Sequence, residues 1–257
     1  MNIKYIYTLL VFSLGLSTYA QQEEPKTQHF FNHNVTYQVR SQFSIGGAAP
    51  LGLPREIRKV KSYNPTLQLG MEANMTKWLS DEHKWGVRLG IRVEGKGMKT
   101  DARVKDYITE INYNGAYVRG HFTGDVKTEI RNTYLTFPVL ATYNINKQWN
   151  VYGGLYFSTA IDQSFDGYVY DGYLRQTDPT GQKLIFEDGK KADYDFSNHV
   201  NKFQWGSQVG AEWKVNQHFF LFADATYGFN SLLDRDFDAI SFTMHNIYLN
   251  LGFGYQF

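Results

Sequence analysis

Residues 244–257 read Met-His-Asn-Ile-Tyr-Leu-Asn-Leu-Gly-Phe-Gly-Tyr-Gln-Phe. The odd positions are His245, Ile247, Leu249, Leu251, Phe253, Tyr255 and Phe257, and the even positions are Met244, Asn246, Tyr248, Asn250, Gly252, Gly254 and Gln256. One face is apolar almost throughout, and the other is mostly polar or glycine. Alternation with period two is the mark of a β-strand lying between two different surroundings. Its length is unusual, since strands of soluble domains run to about five or six residues.

The same pattern recurs toward the N-terminus. Stretches 219–229, 203–215, 149–161, 135–143, 85–93, 65–75 and 35–45 each set an apolar row against a polar or glycine row. In 85–93 the rows are Trp85, Val87, Leu89, Ile91, Val93 and Gly86, Arg88, Gly90, Arg92. Phe220, Phe222 and Leu140 interrupt the polar rows. The charges Arg40, Glu72, Arg88, Arg92, Glu94, Lys96, Glu212 and Asp224 all fall on the polar face, whereas Lys77 and Arg131 do not and sit near expected strand ends. Lysine or arginine facing lipid at the midplane costs about 2–4 kcal/mol, falling toward zero at the interface. The charge distribution follows that gradient.

Alternation alone fits a soluble sandwich equally well. The connections separate the two. Gaps 79–84, 144–148 and 216–217 are short, gaps 47–62, 98–127, 162–200 and 230–243 are long, and the two kinds alternate strictly. Trp85, Tyr143, Trp149, Trp213, Phe219 and Tyr255 cluster beside the short turns, as an interfacial aromatic girdle does. The expected fold is all-β: a closed antiparallel up-and-down transmembrane β-barrel of about eight strands over 35–257, with short periplasmic turns and long external loops. Both chain ends then lie on the short-turn side. Within 162–200, Asp178-Pro179-Thr180-Gly181 is a turn sequence between Tyr173-Leu174-Arg175 and Leu184-Ile185-Phe186, which predicts a hairpin above the membrane. A second hairpin is expected in 98–127, turning around Arg119-Gly120-His121.

Composition supports this and narrows the function. The 257 residues include 19 Tyr, 19 Phe and 5 Trp but only 6 Pro and no Cys. Disulfides, the usual staple of small exported domains, are therefore absent. The net charge of +1 gives no electrostatic footprint for nucleic acid. Residues 1–20 read as a cleaved signal peptide for export to the outer membrane of a Gram-negative bacterium: Lys4, an apolar stretch from Tyr5 to Leu16, then Thr18-Tyr19-Ala20 before a polar turn. The apolar stretch is shorter than the roughly 20 residues a spanning helix needs. Lipidation is excluded because no Cys follows it. Residues 21–34 form a polar lead-in.

The C-terminal alternation ending at Phe257 resembles the strand by which barrel proteins are handed to the barrel assembly machinery. Leu135-Thr136-Phe137-Pro138-Val139-Leu140-Ala141-Thr142-Tyr143, preceded by Tyr134, resembles a strand of the PorT-like outer-membrane β-barrel family. Phe137 replaces the usual isoleucine, and Thr142 stands where a basic residue is common. Gly153-Gly154-Leu155-Tyr156 and Gly210-Ala211-Glu212-Trp213 are similar to the following strands of that family. The resemblance implies an eight-stranded barrel in the outer membrane of Bacteroidetes-type bacteria. It implies no single activity; one member serves a protein-secretion system, and that role is not carried over.

An eight-stranded barrel has an interior that side chains just fill. The lumen charges are therefore expected to be a mutually neutralising network rather than an ion path or a catalytic carboxylate site. Among the seven histidines, two constellations merit attention for hydrolase chemistry: Asp193 and Asp195 with His199, and Ser241 with His245. Neither has a spacing that catalysis requires. Asp188, Asp193 and Asp195 are oxygen ligands of the kind a divalent cation takes, without a recognised ligand spacing. No catalytic, cofactor or metal residue is assigned, and no enzyme is expected; the alternatives to a binding role are a membrane-embedded hydrolase and a structural subunit of an envelope or secretion complex. The lipid bilayer is one partner. Loop 162–200, carrying Tyr168, Tyr170, Tyr173, Phe186, Tyr194 and Phe196, is the expected surface for an extracellular ligand or envelope protein.

Overall fold

The computed structural model describes residues 33–257 apart from positions 53, 235, 238 and 241. The expected signal peptide and residues 21–32 of the lead-in lie outside the described residues. Among those described, ten strands form: β1 (Val35–Ala49), β2 (Ile57–Asn64), β3 (Gln68–Trp78), β4 (Trp85–Tyr113), β5 (Ala116–Asn144), β6 (Trp149–Gln176), β7 (Lys183–Asp195), β8 (Phe203–Lys214), β9 (Phe219–Gly228) and β10 (His245–Gln256).

Eight of them close a ring in the order β1-β3-β4-β5-β6-β8-β9-β10. Every neighbouring pair is antiparallel, and β1 zips to β10 from Gln38↔Gln256 to Ala49↔His245. Closure leaves no edge at the level where all eight strands pair, the condition under which strands can cross a membrane. No helix among the described residues is long and apolar enough to do so. The fold is the closed up-and-down barrel that the alternation and the connection lengths imply.

Two of the three short turns share one device. Asn146 Oδ1 accepts hydrogen bonds from the Gln148 and Trp149 amides, each 2.8 Å, and Asn216 Oδ1 accepts from His218 and Phe219 at the same distances. In both turns the asparagine side chain stands in for a backbone acceptor and lets the chain reverse within a few residues. Trp85, Trp149, Trp213 and Phe219 project outward beside the short turns.

Over the lower ring the side chains alternate between the outer and inner faces. In β9 the order runs Phe219 out, Phe220 in, Leu221 out, Phe222 in. The residues that interrupted the polar rows, Phe220, Phe222 and Leu140, point inward and are buried. Gly252 and Gly254 of β10 make room for two of them: a Cβ at Gly252 would stand 2.8 Å from the Phe222 ring, and one at Gly254 would collide with the Phe220 ring.

The strands differ from the sequence expectation chiefly in length. β4, β5 and β6 were expected to span 85–93, 135–143 and 149–161, yet they run on without a break for 29, 29 and 28 residues. β1 extends past Ile45 to Ala49. β3 begins at Gln68 rather than Pro65 and ends at Trp78, which turns inward and donates from its Nε1 to Thr36 Oγ1 at 2.9 Å. Gap 47–62 holds most of β2, an added strand paired to β4. The β4–β5 turn lies at Asn114-Gly115, both with positive φ, not at Arg119-Gly120-His121. The Asn-Gly pair suits a tight two-residue turn, and Gly120 lies within β5, opposite Thr109. Register shifts mark β4 between Val104 and Tyr107, β5 between Thr123 and Asp125, and β6 between Tyr170 and Gly172. Bulges of this kind bend strands and increase their twist.

Two interiors result, stacked along the same strands. Below, toward the short turns, the ring is filled with polar and charged side chains. Above, the extensions of β4, β5 and β6 join β7 around an apolar core that includes Met98, Tyr107, Ile111, Phe122, Val126, Ile130, Phe165, Val169 and Phe186. A single bridge, Asn112↔Asp193, ties β7 back to β4.

Candidate functional site

Seven of the eight expected lumen charges converge in one ion-paired network, and the eighth joins it by hydrogen bonds. Arg88 of β4 donates to both oxygens of Glu212 of β8, at 2.5 and 2.9 Å. Arg40 of β1 reaches Glu72 at 2.7 Å and Glu212 at 3.3 Å. Arg92 lies 3.2 Å from both Glu72 and Glu94, and Lys96 lies 3.4 Å from Glu94. Asp224 accepts hydrogen bonds from Tyr152 (2.8 Å), Gln208 (3.0 Å) and Asn250 (2.7 Å). Four cations face four carboxylates.

Aromatic rings close the space around the cations. The Arg40 guanidinium lies 4.4 Å from the Phe222 ring centroid, and Lys96 sits among Tyr156, Tyr248 and Tyr134 at 4.9, 5.4 and 6.0 Å. All eight charged residues are buried. The lumen is a packed polar core, not a pore. Its carboxylates are held by Arg40, Arg88, Arg92 and Lys96 and by neutral donors such as Tyr152, Asn250 and Thr136.

Above the lumen the chemistry inverts. Phe186, Tyr194 and Phe196, expected to form part of a binding surface, are buried in the upper core at 1, 5 and 3% exposure. Tyr194 stacks on Phe196 at 4.9 Å, and burial pushes the phenols of Tyr194 and Tyr107 above their ordinary pKa, so both are neutral packing groups. The other three expected aromatics, Tyr168, Tyr170 and Tyr173 of β6, remain on the outer face. There they alternate with cations. Lys191 and Lys127 lie 4.7 and 5.7 Å from the Tyr168 ring, Lys61 lies 5.6 Å from Tyr170, and Lys183 lies 4.5 Å from Tyr173. Tyr170 donates to Asp101 Oδ2 at 2.8 Å, and Lys61 pairs with Asp125 at 2.6 Å. These contacts fix rings and charges on a sheet, so the face is preorganised rather than loop-like.

The catalytic candidates are not assembled. Asp195 Oδ1 accepts from the Ser197 amide at 2.9 Å, which builds a turn, while the His199 ring stacks on Phe237 at 4.6 Å. Asp193 is the residue at the β7–β4 bridge. Ser241 lies outside the described residues; among the described residues His245 Nδ1 stands 3.0 Å from the Gly228 carbonyl and its ring stacks on Tyr227. Asp188 lies at a positive-φ turn of β7, and among the described residues no three His, Asp or Glu side chains gather as metal ligands. Of the outward charges, Arg131 pairs with Glu129 at 3.0 Å above the apolar band, and Lys77 lies near the short-turn end opposite Val35.

A model of the outer membrane protein β-barrel domain matches residues 19–234. No curated protein matches the sequence. Among solved structures, the chain is similar to Ail, the attachment invasion locus protein of Yersinia pestis, with 14% identity over 87% of this chain and 97% of that one and a TM-score of 0.34. It is also similar to the outer membrane protein OprG of Pseudomonas aeruginosa, with 14% identity over 86% and 95% and a TM-score of 0.33. Neisserial surface protein A matches at 9% identity over 87% and 97%, with a TM-score of 0.31.

Proposed function

The chain belongs to the outer membrane protein β-barrel domain family, resident in the outer membrane of Gram-negative bacteria, and from that premise we propose that it is a non-enzymatic display scaffold. Its barrel anchors the paired external hairpins, and their outer face docks an extracellular ligand or an envelope protein. The observation that carries this is the tyrosine and lysine row of β6 and its neighbours, Tyr168, Tyr170 and Tyr173 interleaved with Lys61, Lys127, Lys183 and Lys191. Tyrosine is enriched where binding energy concentrates, because it offers a large contact area with few torsions to freeze. The neutralised lumen supports display over permeation.

Several finer readings travel with this one. Residues 1–20 serve as a cleaved signal peptide, 21–34 as a polar lead-in and 35–257 as the barrel. Phe257 and the alternation behind it serve as the handle for the barrel assembly machinery. Within the family the chain is of the PorT-like, Bacteroidetes type.

The test is capture on whole cells and on refolded protein, comparing the wild type with a Tyr168→Ala/Tyr173→Ala variant whose folding is verified by a heat-dependent gel shift. Loss of partner capture by roughly 30-fold or more, the scale of a binding hot spot, is expected. Undiminished capture would place the function elsewhere. Turnover of lipid or peptide by the pure protein would replace display with hydrolysis.

A further inference from the structure

The wall of the barrel is incomplete at one place. β1 is paired to β3 only as far as Ser44↔Gln68, yet β1 continues to Ala49 along β10. On the other side β4 leaves β3 after Glu94↔Gly70 and takes up β2 from Lys99↔Asn64 upward. The upper edge of β1 and the facing edge of β2 are therefore not laddered to each other. One side-chain contact straps them: the Tyr63 hydroxyl donates to the Gly46 carbonyl at 2.6 Å.

Behind this seam lies a cavity of about 460 Å³, within the range of roughly 300–1,000 Å³ typical of sites for small ligands. Its inner wall is built from Met98, Val104, Tyr107, Val126 and Phe165, and Ile247 forms part of its rim. Ile247 faces outward, 39% exposed, at the upper end of the row that continues as Leu249 and Phe253 along β10. The cavity is thus continuous with the outward apolar row of β10, and Lys59 of β2, on the strand that forms its outer edge, is exposed.

We propose that this seam admits one acyl chain of a lipid from the surrounding leaflet, held between β1 and β2 with Tyr63 as its strap. The site is separate from the hairpin surface and does not rest on that reading. The occupant follows from position and chemistry. An apolar cavity opening sideways at the bilayer boundary meets lipid chains at far higher concentration than any apolar solute from water. An extended chain also needs no polar partners, and this lining offers few. The inner wall is nevertheless already buried, so the gain from filling it is dispersion and relief of an empty apolar space.

The test uses the full barrel reconstituted in phosphatidylethanolamine vesicles in which one acyl chain carries a photoreactive diazirine, placed either at the chain end or near the ester. After irradiation, adducts are mapped by mass spectrometry. Chain-end adducts on Met98, Tyr107 or Phe165 and near-ester adducts at Tyr63 are the expected pattern. Ala102→Trp, which fills the cavity, is expected to lower inner-wall adducts about tenfold while leaving those on the band residues Leu89 and Leu251 unchanged. Tyr63→Phe, which cuts the strap, is expected to raise them. Adducts confined to the outward band, or inner adducts insensitive to probe position in the wild type, would overturn the proposal. Inner adducts obtained only with a free diazirine fatty acid, and never with the phospholipid, would also overturn it by making the occupant a diffusible solute. The wild-type comparison of the two probe positions decides the matter even where Ala102→Trp does not fold.

Discussion

Arg88 and Glu212 face each other across the lumen from β4 to β8, two strands that are not neighbours in the ring, and their two hydrogen bonds of 2.5 and 2.9 Å tie opposite sides of the wall. Glu212 also serves Arg40. Glu212→Leu would leave two guanidinium groups short of a carboxylate in a water-poor interior. Removing one member of a buried ion pair costs about 3–5 kcal/mol. The expected result is a matching drop in stability, read from urea unfolding in lipid vesicles. A change below about 1 kcal/mol, the scale of an exposed pair, would mean that water reaches the network.

The packing of Arg40 under Phe222 and of Lys96 among three tyrosines predicts that the barrel does not conduct. Planar bilayers containing the wild-type protein should show no stepwise current. Arg40→Ala/Phe222→Ala removes two large side chains from one level of the lumen and is expected to produce discrete openings. Steps from the wild type would contradict a sealed interior.

Outward positions carry a depth-dependent cost. Leu89 of β4 is exposed in the outward apolar row, between Met75 and Val139 on the neighbouring strands. Leu89→Arg should destabilise by about 2–4 kcal/mol, whereas Leu67→Arg, at the rim, should cost about 0–1 kcal/mol. Equal costs, measured by reversible unfolding, would show that the band is not aligned with the bilayer as described.

The upper core should fail independently of the barrel. Phe186 is 1% exposed and meets the Phe122 and Tyr113 rings at 6.3 and 5.8 Å. Phe186→Ala should cost about 3–5 kcal/mol, and the loss should appear as protease cleavage in β7 while the heat-dependent gel shift of the barrel persists.

At the tip of the β6–β7 hairpin, Asp178 Oδ1 accepts from the Thr180 amide and hydroxyl at 2.7 and 2.6 Å, which holds its carboxyl below the ordinary range. A lowered folded pKa means that the charged form stabilises the turn. That contribution is complete above the ordinary value of about 3.9 and is lost as pH falls through the lowered one. The Thr180 amide resonance should therefore titrate with a midpoint below 3.9, and Asp178→Asn should abolish the transition. A midpoint at or above the ordinary value would mean that the turn is not held by this carboxylate.

The ring itself was legible because one side of each strand meets lipid and the other a charged interior, and no residue type suits both. Parity put Arg40, Glu72, Arg88, Arg92, Glu94, Lys96, Glu212 and Asp224 on one face, and the alternation of short and long connections made that face the inner one. The upper extensions were not legible for the same reason. Along β4 the inward positions change from Arg92, Glu94 and Lys96 to Met98 and Val104, while the outward ones change from Leu89 and Ile91 to Lys99 and Arg103. Alternation persists but its sense reverses, so a pattern read against one environment ends near Val93. In β6 the step between Ala160 and Asp162 also shifts the parity, which is why Phe165 and Val169 point inward. The role of Phe186, Tyr194 and Phe196 was lost with it: in a loop they read as a sticky surface, whereas a second core needs them inside. The seam at β1 depends on where β3 begins; Asn64-Pro65 marks a turn there, but it does not say that the residues before it pair with β4 and leave β1 unpaired.

The unbroken run of β4 and β5 from the short turns to the Asn114-Gly115 tip gives the molecule a fixed reach. At about 3.3 Å per residue, the 29 residues of β4 make roughly 95 Å of tilted strand, against an apolar band about 25 Å tall. No hinge intervenes, so the height at which the tyrosine row stands above the bilayer is written into strand length, as on a ruler. Inserting two residues in each of β4, β5, β6 and β7 above Ile130 would lift that row by one increment without turning any side chain to the wrong face. A partner anchored in the same membrane would then meet its target too high.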